Sequence, residues 1–61
     1  MAATHMKVQN VIVYKRYVRN FLFDGNKFTV VYIGGRKEEF LLDYPPSKQE
    51  ISGYEAELED R

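Results

Sequence analysis

A chain of 61 residues is one domain at most, and at this size so much surface stays exposed that a core alone is marginal. It has no cysteine and one histidine, which excludes disulfides and disfavours a zinc site. The net charge of zero conceals an asymmetry: residues 1–37 carry seven basic side chains and one acidic, residues 38–61 two basic and eight acidic, so the halves stand at +6 and −6.

Such a split is a hint of nucleic-acid contact or of an acidic tail. The bland explanation is that the halves neutralise each other across the fold. No apolar run reaches the roughly 18 residues of a membrane-crossing helix. No charged segment leads into an apolar secretory stretch, and the lack of cysteine fits a reducing compartment, so a cytoplasmic location is expected.

His5-Met6 is what a common cloning site encodes before a start codon. Residues 1–5 are therefore expected to be vector-derived, with the native domain at 6–61. Val8, Val11, Ile12 and Val13 then predict a strand over 7–14. Lys15-Arg16 offers no turn-forming residue, so the chain is expected to run on, with a bulge at the basic pair. A helix over 11–22 is the alternative, since Val11, Tyr14, Val18, Phe21 and Leu22 have near-helical spacing. The β-branched and aromatic content favours strand.

Two turn signals follow. Asp24-Gly25-Asn26 and Gly34-Gly35 tolerate positive φ and separate strands predicted at 16–23, 27–33 and 36–42. A two-residue loop at Gly34-Gly35 sets Ile33 opposite Arg36, Thr29 opposite Phe40 and Phe28 opposite Leu41. One face then holds Tyr17, Arg19, Phe21, Phe23, Phe28, Val30, Tyr32, Lys37, Glu39 and Leu41. The other is mostly aliphatic, with Val18, Leu22, Val31, Ile33, Phe40 and Leu42.

Asp43-Tyr44-Pro45-Pro46 ends the sheet, and Ser47-Lys-Gln-Glu50 matches a capping box opening a helix over 48–59. Its stripe of Ile51, Tyr54 and Leu58 is expected to cover the aliphatic face. The predicted fold is thus a small α+β domain, an antiparallel three- to four-stranded β-meander with a short C-terminal helix.

Catalysis is not expected. Without a native histidine or any cysteine there is no triad or thiol nucleophile. Glu38 and Glu39 point to opposite faces of a strand, and Gly34-Gly35 lacks the phosphate-loop pattern. No cofactor, metal, membrane or small-molecule substrate is expected. A non-enzymatic binding module is.

The run Tyr14-Lys-Arg-Tyr-Val-Arg-Asn-Phe21 interleaves cations with rings, as single-stranded nucleic acid requires. The candidate contact residues are Lys15, Arg16, Tyr17, Arg19, Phe21, Phe28, Tyr32, Arg36 and Lys37. The ordinary reading of the same residues is a core of rings with a solvated basic rim. No ribonucleoprotein motif, basic region or recognition helix accompanies them. The alternative is a protein-interaction or inhibitor module using the same aromatics or an open sheet edge, with a homodimer as one route to stability.

Overall fold

The computed structural model describes residues 4–60. Of the expected vector-derived residues, 1–3 lie outside the described ones, while His5 opens the first strand. The elements run β1 His5–Val8, β2 Val11–Tyr14, a single 3-10 turn Lys15–Tyr17, β3 Val18–Asp24, β4 Lys27–Tyr32, β5 Lys37–Leu41 and α1 Lys48–Glu59. All strand pairs are antiparallel, in a two-stranded sheet β1-β2 and a three-stranded sheet β3-β4-β5. This is a small α+β meander with one C-terminal helix.

The strand predicted over 7–14 is a hairpin instead. Val8 pairs with Val11, so Gln9-Asn10 is a two-residue turn and Gln9 takes φ 55°. A long side chain rarely adopts that conformation. Here the side chain compensates: Gln9 Nε2 donates to the Tyr44 carbonyl at 2.9 Å, and Gln9 Oε1 accepts the Asp43 N–H at 2.8 Å. One amide therefore clips the β5–α1 connection to the first hairpin. Gln9→Ala keeps the awkward φ and loses both bonds, so thermal unfolding should report a loss of about 1–2 kcal/mol. Gln9→Gly relieves the backbone and should fall between Ala and the parent. An order with Gly below Ala would refute this account.

The β3–β4 hairpin turns at Gly25-Asn26, with Gly25 at φ 63° and Asp24 opposite Lys27. Phe21, Phe23, Phe28, Val30 and Tyr32 share one face, as the sequence predicts. Between Val18 and Asn20 the register shifts by a bulge at Arg19, which turns Val18 onto the aromatic side, where it is fully buried. The second hairpin departs from the predicted register by one residue. Phe28 faces Phe40, Thr29 faces Glu39 and Val31 faces Lys37. The loop is Ile33-Gly34-Gly35, closed by Tyr32 N–H to the Arg36 carbonyl at 2.7 Å and Gly35 N–H to the Tyr32 carbonyl at 3.0 Å. With period two, that single residue moves Phe40 and Leu42 to the aromatic side and leaves Leu41 77% exposed.

These shifts concentrate apolar side chains on one face, and that face is the one the helix covers. The expectation that α1 would pack on the aliphatic face is thereby corrected. Tyr54 stacks on Phe23, with centroids 6.2 Å apart and planes at 20°. Phe23 in turn stacks on Phe28 at 5.0 Å and 16°, and Phe21 meets Phe28 edge-on at 5.1 Å and 71°. Met6, Val8 and Val13 from the first hairpin, with Val18, Val30, Leu42 and Leu58, complete the core.

Helix α1 begins as its sequence predicts. Ser47 Oγ accepts the Glu50 N–H at 3.2 Å, and the Ser47 N–H donates to Glu50 Oε1 at 2.9 Å. Tyr44 Oη donates to the other Glu50 oxygen at 3.1 Å. The Ser47 N–H, followed by the Tyr44 hydroxyl, holds the Glu50 carboxyl below its ordinary 4.5.

At the free edge of β5, the bracketing bonds of Arg36 and Leu42 to the β4 side alternate the pairing. The backbone groups of Lys37, Glu39 and Leu41 therefore point away from β4. Among the described residues, no backbone bond from another element meets them.

Candidate nucleic-acid or protein interface

The candidate contact residues are dispersed by the fold, and the structure gathers only part of them. Lys15 is the clearest case. It opens the 3-10 turn and is 2% exposed, with Nζ donating to the Glu57 carbonyl at 3.3 Å and the Asp60 carbonyl at 2.9 Å. A cation at the carbonyl end of a helix satisfies groups that have no intrahelical partner and suits the dipole there. Lys15 thus closes α1 onto the sheet. Phe21 and Phe28 are core, at 4% and 0% exposure. Arg19 lies in a shallow cleft with Asn20, facing Ser52, Glu55 and Glu59 of α1. Lys37 lies on the opposite sheet face, in a cleft with Asp24, Lys27 and Glu39. Lys27 and Glu39 form a 3.1 Å ion pair there. Arg16 is exposed.

Tyr17, Tyr32 and Arg36 do come together. With Ile12, Tyr14, Ile33 and Gly34 they line an open groove of about 630 Å³. Four elements build it: β2, the 3-10 turn, β4 and the β4–β5 loop. The Ile33 N–H donates to the Tyr17 carbonyl at 2.9 Å, which fixes the 3-10 turn beside the end of β4. Ile12, Tyr14, Tyr17 and Ile33 are each more than half exposed, at 55, 59, 60 and 66%. Four large apolar or aromatic side chains thus converge on one open surface, the kind of patch that marks an interaction site.

The polar part of the groove is preset. The Arg36 guanidinium lies over the Tyr32 ring, 5.3 Å from its centroid. The Tyr32 hydroxyl donates to Glu38 Oε1. Partial burial, then the Glu38 hydrogen bond and charge, push the Tyr32 hydroxyl above its ordinary 10.0, against a smaller opposing effect of Arg36. Tyr32 is therefore a hydrogen-bond donor at neutral pH, its ring held between a carboxylate at one end and a cation on its face. Among the described residues, no carboxylate lies within ion-pair distance of Arg36.

Sequence reasoning missed Ile12, Ile33 and Gly34 as site residues. Ile12 and Ile33 sit in runs that look like buried strand, and nothing in their spacing marks the turns that expose them. Tyr14 belonged to the basic-aromatic run and could have been included on that ground. Among the described residues, no group of His, Cys, Asp or Glu side chains could hold a metal ion, and no helix is long and apolar enough to cross a membrane. No protein family, curated protein or solved structure matches the chain.

Proposed function

We propose that the chain is a small non-enzymatic binding module that docks a protein segment through the groove between β2 and the β4–β5 loop. The observation that supports this reading is the exposure of Ile12, Tyr14, Tyr17 and Ile33 around one cavity, with a single preset arginine. Tyrosine, arginine and a large aliphatic anchor are the residue types that dominate protein hot spots. Rigid rings supply contact area with little entropy to lose.

The nucleic-acid reading has less gathered behind it. A strand track needs a row of cations along successive phosphates. Here Lys15 is committed to α1, Arg19 faces Glu55 and Glu59, and Lys37 lies near Glu39 on the far face. Exposed Arg16 and the groove's Tyr14, Tyr17, Tyr32 and Arg36 keep chemistry for stacking or phosphate contact, but they do not form a row of cations.

The test is a random-sequence peptide display library panned against the protein. Sequences should be recovered that lose at least about tenfold in affinity against Ile33→Asp and none against Leu41→Asp, because an exposed anchor is worth about 1.4 kcal/mol or more. Recovered sequences indifferent to Ile33→Asp would sink the docking reading. Salt-sensitive binding of a labelled mixed-sequence oligonucleotide, lost in Tyr17→Ala, would replace it with the nucleic-acid one.

A further inference from the structure

We propose that the groove selects a segment in which a carboxylate stands beside the apolar anchor, and that Arg36 reads the carboxylate. The inference rests on the groove being a protein-docking site and specifies what docks there.

Three observations carry it. First, Arg36 is positioned before anything binds. Its guanidinium lies on the Tyr32 ring, and Tyr32 is pinned in turn by its hydroxyl bond to Glu38. An arginine laid on a ring keeps its N–H fork free at the edge, and that fork matches the two oxygens of a carboxylate. The ring contact gives the guanidinium a favoured position, which lowers the ordering cost of contact. Second, that fork has no acidic partner of its own among the described residues. Glu38, two residues along the strand, is committed to the Tyr32 hydroxyl. Third, basic residues neighbour the lining in register and in sequence. Lys7 stands directly opposite Ile12 in the first hairpin, and Arg16 is exposed between the groove residues Tyr14 and Tyr17. Glu38 opposes their charge only in part.

The lining around Arg36 is otherwise apolar or aromatic. A bare anion therefore has one strong contact and nothing to fill the cavity, while a plain apolar segment leaves Arg36 covered and unpaired, which is costly. A segment carrying both satisfies both. A single planar guanidinium also fits a carboxylate better than a polyphosphate track, which draws on many cations at once.

The experiment uses peptides recovered from the random library that depend on Ile33. They should be enriched in Asp or Glu next to an aromatic or large aliphatic residue. Changing that acid to its amide should weaken binding about tenfold to the parent protein and hardly at all to Arg36→Gln. Arg36→Glu should exchange the preference for a basic neighbour. Groove-dependent peptides with no acidic enrichment, or with an equal amide penalty in Arg36→Gln, would overturn the inference while leaving the docking site standing. Failure to recover any Ile33-dependent peptide would remove both. Self-association of the free chain that is abolished by Arg36→Glu would assign the carboxylate to a second copy and overturn selection of a foreign segment.

Discussion

Phe28→Ala is expected to cause the largest loss of stability of any single truncation in the ring cluster. Phe28 is fully buried and lies at the centre of the ring cluster, in contact with Phe21, Phe23 and Phe40 at centroid distances of 5.1, 5.0 and 6.1 Å. Truncating a buried phenylalanine typically costs about 3–5 kcal/mol, the transfer loss plus the cavity left behind. Stability per residue of roughly 0.05–0.15 kcal/mol gives a chain of this length about 3–9 kcal/mol in total. One substitution therefore removes between about a third and all of the margin. Leu22→Ala is the control: Leu22 is 49% exposed on the opposite face, and its loss should stay below about 1 kcal/mol. Urea unfolding followed by far-ultraviolet circular dichroism compares the two. A cooperative transition for Phe28→Ala at nearly the parent midpoint would mean that the cluster is not where the fold is held.

The second large effect is expected at Lys15. Lys15→Met keeps the aliphatic stem and removes the ammonium that Glu57 and Asp60 accept from. Two part-buried carbonyls at the end of α1 then lose a charged donor, at a cost of about 2 kcal/mol. The loss is local in character, because Tyr54 and Leu58 still pack on the sheet. Hydrogen exchange should show α1 amides opening well before those of β3 and β4. Uniform acceleration across the sheet would argue against a local closure. A binding defect in any Lys15 variant would report on helix docking and could not be assigned to contact with a partner.

The comparison of sequence with structure turns on single residues. The Gly25 turn and the Ser47–Glu50 cap are legible because each rests on one local conformation that few residue types can supply. The common face of Phe21, Phe23, Phe28, Val30 and Tyr32 follows directly from that first turn. The second hairpin is where legibility ends. Gly34-Gly35 marks a turn but not its length, and Ile33, an apolar residue with no loop character, joins the loop. The bulge at Arg19 is equally silent, since it depends on how β3 meets the 3-10 turn. Gln9 hides a positive φ because its compensation lies 34 and 35 residues away, at Asp43 and Tyr44. The site suffers most from these errors. Composition nominates cations and rings as candidate contact residues, but only register and turn length decide which rings are buried and which cations are already committed.

The outward row on β5 constrains what can be done with the neighbouring groove. Lys37, Glu38 and Glu39 line an edge whose Lys37, Glu39 and Leu41 backbone groups are available to another strand. A chain offering such an edge can template its own stacking, and charged side chains on the edge are the usual restraint. The groove's arginine is the residue just before that row. Any redesign that extends its apolar contact surface from Arg36 into residues 37–39 would remove the restraint together with the charge. Affinity gained in that direction would be accompanied by fibril formation at high concentration, so the groove can be enlarged more safely toward β2.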